Sequence, residues 1–436
     1  MKILVLGQGG REHAIAHKVS ESSLVDKVFV YPGNPGMSLE KNAIESLDER
    51  TFSREDLVDF CKKNNVDLTI VGPESFLTEG IVDLFRTNNL LVVGPTKAAS
   101  LLESSKVFAK EIMIKSQVPT ASYIEFKEMS VALNYIENSI NEKMVVKCNG
   151  LAAGKGVVVC HSKTEACQAV VDFMQNRVLG FNEEHIIIEE YLEGPEASVF
   201  ALCDGEDFIY LGSACDHKRL RDGNQGPNTG GMGTYAPCQF LKEEDQIFIN
   251  NKVFAPVLKT MNQVGIKYSG ILFAGLIKTA EGLKVLEFNV RLGDPETQSL
   301  LPIIEEDIVP MMLASAEGTL SAYKKSKDRT SAVLKNQKAV HVVLASLGYP
   351  GTEGTSIRSG DKITISEKFK KSDCDLIYFS GVKRINEEMV TSGGRVMGIT
   401  ALAENFSTAR SHAYENCELV QFFGLQKRSD IAKGVE

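Results

Sequence analysis

Short apolar runs separated by amphipathic stretches open the chain, at Ile3–Leu6, Lys27–Tyr31, Asp67–Val71 and Leu90–Val93. Such alternation predicts strand–helix–strand units and a parallel sheet. Each run ends in glycine or proline, at Gly7, Pro32, Gly72-Pro73 and Gly94-Pro95. Ligands of open parallel sheets sit beyond the carboxyl ends of the strands, where these loops lie. After Val118-Pro119 the pattern shifts to a smaller unit, about 119 to 192, in which Met144–Lys147 and Val157–Cys160 bracket a glycine-rich loop. KVFAPVLKTM then has helical spacing, and Tyr268–Lys278 and Lys284–Leu292 read as an antiparallel pair joined by Thr279–Gly282. A helix over Asp307–Gly318 closes this region. From about residue 325 short strands resume, at Ala339–Ser346, Lys362–Ile365, Asp375–Val382 and Arg395–Ala401, before a helix near Ser407–Leu419.

The second strand of that pair separates two jobs. Leu286, Phe288, Val290 and Leu292 fall on one face, and Glu287, Asn289 and Arg291 on the other. The first face suits burial. The second offers a carboxylate, an amide oxygen and a guanidinium, a set that fits a hard cation and the phosphates around it. A half-exposed edge strand would alternate in the same way, so the other loops must decide.

At 436 residues the chain exceeds one typical core and suggests two to four domains. The net charge of −9 argues against non-specific nucleic-acid binding. No apolar run approaches the roughly 20 residues of a membrane span, and MKILVLGQGG turns polar too early for a secretory signal. Nine scattered cysteines without a C-x-x-C pair suggest reduced thiols in a cytosol, with neither a disulfide frame nor a zinc site.

GQGGREH, Gly7 to His13, fits two glycines of the dinucleotide fingerprint, but Glu12 stands at the third and no acid ends the second strand. NAD is thereby disfavoured. A glycine-opened helix with Arg11 still suits an anion, and a sugar phosphate fits better. GLAAGKG, Gly150 to Gly156, is one spacer short of a Walker A loop and lacks its Ser or Thr. Such a loop between strands can still close its N–H groups over phosphates, with Lys147 and Lys155 neutralising them. Before it, Ser104 is a candidate cap for a helix carrying Lys106 and Lys110 on one face. DHKR (Asp216 to Arg219) and GPNTGGMG (Gly226 to Gly233) lie in a run poor in apolar residues. They suggest an anion pocket or a mobile lid, although a plain surface loop has similar composition. No Ser-His-Asp or Cys-His nucleophile constellation is evident.

Together GQGGREH, VVKCNGLAAGKG, IEEYLEGPEAS, DHKR, GPNTGGMG and EFNVRLGDPETQ resemble the phosphoribosylamine–glycine ligase (glycinamide ribonucleotide synthetase) family of the ATP-grasp superfamily. The resemblance implies a multidomain α/β and α+β fold. Residues 1–103 would form a Rossmann-like domain on the phosphoribosyl side, 104–118 with 193–324 the ATP-grasp main subdomain, 119–192 its lid, and 325–436 a small C-terminal α+β domain. It implies ATP as co-substrate, Mg²⁺ or Mn²⁺, and glycine and 5-phosphoribosylamine as substrates. It implies no nucleic-acid or membrane partner, a monomer or weak homodimer, and a cytoplasmic enzyme of purine biosynthesis.

Carried over by position, Lys106 and Lys147 would hold the ATP phosphates under the loop containing Gly150, Gly154, Lys155 and Gly156. Glu189, Glu190, Tyr191 and Leu192 would read adenine, and Glu196 the ribose. Glu287 and Asn289 would hold the metal, while Arg291, with Lys147, would serve the acyl phosphate. Gly9, Gly10 and Arg11 would meet phosphoribosylamine, and Asp216, Lys218, Arg219, Asn228, Thr229 and Gly230 would help enclose the substrates. Two departures stand out: Lys147-Cys148-Asn149-Gly150 where the family has K-A-D-G, and Cys215 where it has glutamine. The general base remains open between His217 and Asp216.

Overall fold

The computed structural model describes residues 1–39, 44–48, 50–150, 156–178, 185–352, 354–369 and 372–436. The expected phosphate-loop residues Gly154 and Lys155 lie outside the described residues.

The N-terminal alternation folds as expected. Five parallel strands stand in the order Ile44–Ser46, Lys27–Pro32, Lys2–Gly7, Leu68–Val71, Val92–Val93. The central strands are almost wholly apolar beyond their first residues, as suits a sheet covered by helices, with Thr69 the buried exception. Ile44–Ser46 was not legible as a separate run, being only three residues long.

The lid is an antiparallel sheet of Tyr123–Phe126, Ile186–Glu190, Met144–Cys148 and Val157–Cys160, with helices Met129–Asn138 and Lys163–Met174. Its apolar side chains form a core of their own around Val146, Ile188, Ala132 and Val170. A section that buries its own apolar surface can move as a unit against its neighbours.

The body is a sheet of eight antiparallel strands. Their order is Gly282–Asn289, Ser269–Thr279, Glu196–Asp204, Phe208–Asp216, Gly233–Ala236, Lys338–Ala345, Arg395–Ala403 and Asp375–Phe379. The last three belong to the C-terminal α+β section, so that section shares its sheet with the ATP-grasp body. The short strand Gly233–Ala236, directly after GPNTGGM, makes the join. It fixes the DHKR and GPNTGGMG segments where the body meets the C-terminal section.

Candidate active site

The strand Gly282–Asn289 does not alternate as simply as its sequence suggests. Leu283 and Val285 are buried, then Phe288, Val290 and Leu292, while Leu286 is only half-buried. Pairing with Ser269–Thr279 slips between Gly275 and Leu276, so Leu286 is the extra residue of a β-bulge. The bulge switches which parity faces the core and thereby aims Glu287 and Asn289 into the space between body and lid. It also frees the Leu286 carbonyl, which accepts from Lys147 Nζ at 3.1 Å. Regular strand structure ends at Asn289.

Four cationic side chains converge on Glu287. Against the upward push of burial, Lys218, Lys147, Lys106 and Arg291 hold its carboxyl below the usual carboxylate range. Lys106 is pulled below its ordinary value by burial and, despite Glu287, by repulsion from Lys147. Its Nζ donates to the Gly150 carbonyl at 2.9 Å, placing the start of the glycine loop against the same cluster. Glu287 is thus beside the loop and among cations, not turned into hydrocarbon.

Ser105, not Ser104, caps the helix Lys106–Lys115: its Oγ accepts from Phe108 N–H at 3.2 Å. A short helix, Leu101–Ser104, precedes it, and Ser105 is the extended residue between the two, so Ser104 is not free to cap. Asn149 Oδ1 accepts from Ser105 Oγ and from Val107 N–H, both at 3.3 Å. An amide oxygen therefore serves the helix start at the position where an aspartate was expected.

Lys147 and Lys110, the latter given no site role from sequence, grip Glu189 from two sides, with Nζ 2.8 Å from Oε2 and 3.2 Å from Oε1 respectively. All three are buried. Lys110, pulled down to about 8 by burial against the opposing charge of Glu189, also donates to Thr120 Oγ1 and the Ala121 carbonyl. Glu189 therefore faces the lysines. Glu190, Tyr191 and Leu192 instead line a cleft of about 650 Å³ between the lid and the hairpin around Thr279–Glu281. Lys143 Nζ sits 5.1 Å from the Tyr191 ring centre there. Glu196 accepts from Lys218 at 2.8 Å, joining two residues that the sequence placed in separate subsites.

Arg291 Nε donates to Glu74 at 3.2 Å, and its Nη2 to Glu103 at 2.9 Å and to Asn289 Oδ1 at 3.2 Å. Its charge is already matched, and it orients Asn289. Arg11 is likewise buried and paired: Nε donates to Glu12, and Nη1 to the Leu292 carbonyl at 3.2 Å. Glu12 Oε2 in turn accepts from Gly9 N–H at 2.7 Å, above the helix Gly10–Ser20. A Cβ at Gly72 would lie 2.1 Å from Glu12 Oε1. This carboxylate fills the crevice that a dinucleotide's pyrophosphate would need, for which reason the fingerprint is incomplete.

Behind the cluster, Arg395 of the C-terminal section donates to the Gly230 and Asp294 carbonyls and, at 2.7 Å, to Asp294 Oδ2. Ser198 Oγ donates to Glu296 at 2.8 Å. Asp216 is pushed up to about 8 by burial and by Glu296, and its Oδ1 has no hydrogen-bond partner. His217 is pushed down to about 4, chiefly by burial, and its Nδ1 lies 3.2 Å from the Gly233 carbonyl. Arg219 donates to the Gly226 carbonyl at 2.8 Å, and Thr229 to the Lys218 carbonyl through both N and Oγ1 at 2.8 Å. Asn228, Thr229 and Gly230 form the partly exposed rim. Neither Arg395 nor Lys110 was carried over from the sequence. Lys110 had a signal, four residues beyond Lys106, whereas Arg395 had none.

The phosphoribosylglycinamide synthetase family matches in three parts: its N domain over residues 1–103, its ATP-grasp (A) domain over 104–297 and its C domain over 339–434. The chain belongs to this family. A phosphoribosylamine–glycine ligase from Caldanaerobacter subterraneus is 41% identical over 434 residues, covering 100% of both chains. The crystal structure of phosphoribosylamine–glycine ligase from Thermotoga maritima superposes with a TM-score of 0.83 at 32% identity, covering 99% of this chain and 100% of that one. The biotin carboxylase domain of a Hydrogenobacter thermophilus 2-oxoglutarate carboxylase reaches a TM-score of 0.71 at 18% identity, covering 98% of this chain and 91% of that one. At that identity the likeness shows the ATP-grasp fold alone. Family members use ATP, and among the described residues no helix is long and apolar enough to cross a membrane.

Proposed function

We propose that the chain joins glycine to 5-phosphoribosylamine with ATP, giving glycinamide ribonucleotide, ADP and phosphate through glycyl phosphate, as a step of purine biosynthesis. The observation that carries this is the convergence of Lys106, Lys147, Lys218 and Arg291 on Glu287 at the mouth of the lid. Ammonium and guanidinium groups gathered at one point suit a polyphosphate and an acyl phosphate, which would compete for them with the carboxylates that pair Lys147, Lys218 and Arg291.

Glu287 and Asn289 supply one charged and one neutral oxygen two positions apart. Among the described residues no group of three or more His, Cys, Asp or Glu gathers as a metal site. Two protein oxygens fit a hard cation whose remaining shell is phosphate and water. Mg²⁺ or Mn²⁺ held there would screen the phosphate charge during transfer. Lys106 and Lys147 position the phosphates, Arg291 fixes Asn289, and the cleft at Tyr191 and Leu192 takes adenine. The lid, about residues 119–192, closes over the nucleotide and excludes water that would hydrolyse the acyl phosphate. The N-terminal loop at Gly9–Arg11 and the segments around Asp216 and Asn228–Gly230 enclose the other substrates.

Phosphate release from ATP should require both glycine and freshly generated phosphoribosylamine. Release that ignores phosphoribosylamine overturns the reading in favour of another ATP-grasp ligase or an uncoupled ATPase.

Asp216 suits the base better than His217, because a carboxyl titrating near neutrality is matched to proton transfer at that pH. Its basic form grows as pH climbs through about 8, so kcat/KM should rise across that range. Asp216→Asn should flatten the rise and slow turnover about 10²-fold or more. A pH–rate profile of the variant with the same limb as the parent would assign the proton elsewhere.

A further inference from the structure

Among the described residues Arg428 is the largest fully buried side chain, 1% exposed, and it lies in the C-terminal tail, some two hundred residues along the chain from the 216–233 segment. Burying a guanidinium is costly unless all its donors are met. Here each of its three nitrogens is met, by three partners between them. Asp430 takes Nε and Nη2 in a fork, at 2.7 and 2.8 Å. Nη1 donates to the Arg219 carbonyl and to Asn224 Oδ1, both at 3.0 Å. Those oxygens belong to the first strand and the connecting turn of the two-stranded ribbon of Arg219–Arg221 and Gln225–Asn228. This ribbon grows directly out of Asp216–Lys218 and returns to Asn228–Gly230.

The tail secures the ribbon at more than one point. Ser429 N–H donates to Asp222 Oδ1 at 2.8 Å, its hydroxyl meets Asp222 Oδ2, and Gly223 N–H donates to Asp430 Oδ2 at 2.8 Å. The tail is itself anchored: Tyr414 Oη donates to the Arg428 carbonyl at 2.9 Å and accepts from Ile431 N–H at 3.1 Å. Ile431 packs so tightly over the loop's exit that a Cβ at Gly233 would lie 2.8 Å from its Cγ1. The other side of the loop is held from the same section, where Tyr349 Oη accepts from Gly230 N–H at 2.9 Å.

We propose that Arg428 is a positioning residue for the phosphoribosylamine–glycine end of the site: the buried Arg428–Asp430 fork fixes the 216–233 segment in its substrate-binding form. The fork is planar and pre-organised, which a lysine cannot reproduce. The proposal rests on the reading of that segment as part of the substrate site. Apart from Lys218, the residues read as holding ATP lie on other elements, so loss of the tie acts chiefly on the other two substrates.

Arg428→Ala and Arg428→Lys should raise KM for phosphoribosylamine or glycine on the order of tenfold, with KM for ATP nearly unchanged. A role in general stability alone would instead reduce the active fraction and leave every KM in place. Asp222→Ala removes a solvent-exposed part of the same tie and should shift the same KM in the same direction. The double variant should be less than additive, because both act through one contact set. Trypsin, which cuts after Lys218, Arg219 and Arg221, should cleave both variants faster at these sites than the parent. This proteolysis does not depend on the assigned reaction. If Arg428→Ala fails to fold, Asp222→Ala carries the test. Unchanged KM values in the folded variants, or a parallel rise in KM for ATP, overturn the proposal. A parent enzyme indifferent to phosphoribosylamine would overturn the functional reading instead, with proteolysis still judging the tie.

Discussion

Glu287→Ala is expected to cut turnover about 10³-fold while leaving the protein folded and able to bind nucleotide. The side chain has two functions in one place. It is the charged member of the oxygen pair with Asn289, and it is the anion around which Lys218, Lys147, Lys106 and Arg291 gather. On the proposed reading, removing it takes away the only charged protein ligand of the metal, so phosphoryl transfer would lose charge screening. It also leaves the cations facing one another, which makes the pocket more attractive to a polyphosphate. Activity and nucleotide affinity should therefore move in opposite directions. Phosphate release measured beside equilibrium binding of ATP without divalent cation checks both. Glu287→Gln, which keeps the shape and loses the charge, should behave in the same way. Undiminished turnover in a folded Glu287→Ala protein would remove the metal role, and weaker metal-free ATP binding would remove the electrostatic one.

How much of this was legible depended on whether a signal was local. The parallel sheet was readable because its strands are short apolar runs ending in glycine or proline, and a run of that kind must be buried on both faces. Glu287, Asn289 and Arg291 were readable because alternation over a few residues fixes a common face. The bulge at Leu286 was not. It reverses parity through pairing with Gly275 and Leu276, and the sequence of one strand holds no information about slippage against another. Charge partners were lost for the same reason. Arg291 and Arg11 looked like free cations, but Glu74, Glu103 and Glu12 neutralise them in the fold. Glu189 is legible in sequence as the start of an adenine-reading linker, but the ion pairs of its carboxylate with Lys110 and Lys147 are not. Arg395 and Arg428 reach the 216–233 segment across more than 160 residues of chain, a juxtaposition that follows from the C-terminal section sharing its sheet with the body.

Glu189→Ala is expected to be the most destabilising single change at the site, on the order of 3–5 kcal/mol, because it strands two buried cations at once. Glu189 is buried between Lys110 and Lys147, whose side chains are 3% and 8% exposed. The cost should depend on pH in a direction that distinguishes charge from packing. Burial already pulls Lys110 down to about 8 with Glu189 opposing that pull. Without the carboxylate it should fall further and shed its proton in the folded state near neutrality. The unfolded chain still binds that proton up to the ordinary lysine value, so it carries more protons than the folded variant over this range. Stability of the variant then rises with pH, by up to about 1.4 kcal/mol per unit, between pH 7 and 8, an interval over which parent Lys110 goes only from mostly charged to half charged. The gap between variant and parent in thermal or urea unfolding should accordingly narrow over that interval. Glu189→Gln, which retains shape and hydrogen bonds, should show the same narrowing from a smaller deficit. A deficit that stays constant from pH 7 to 8 would mean that lost packing, and not two unpaired ammonium groups, sets the cost.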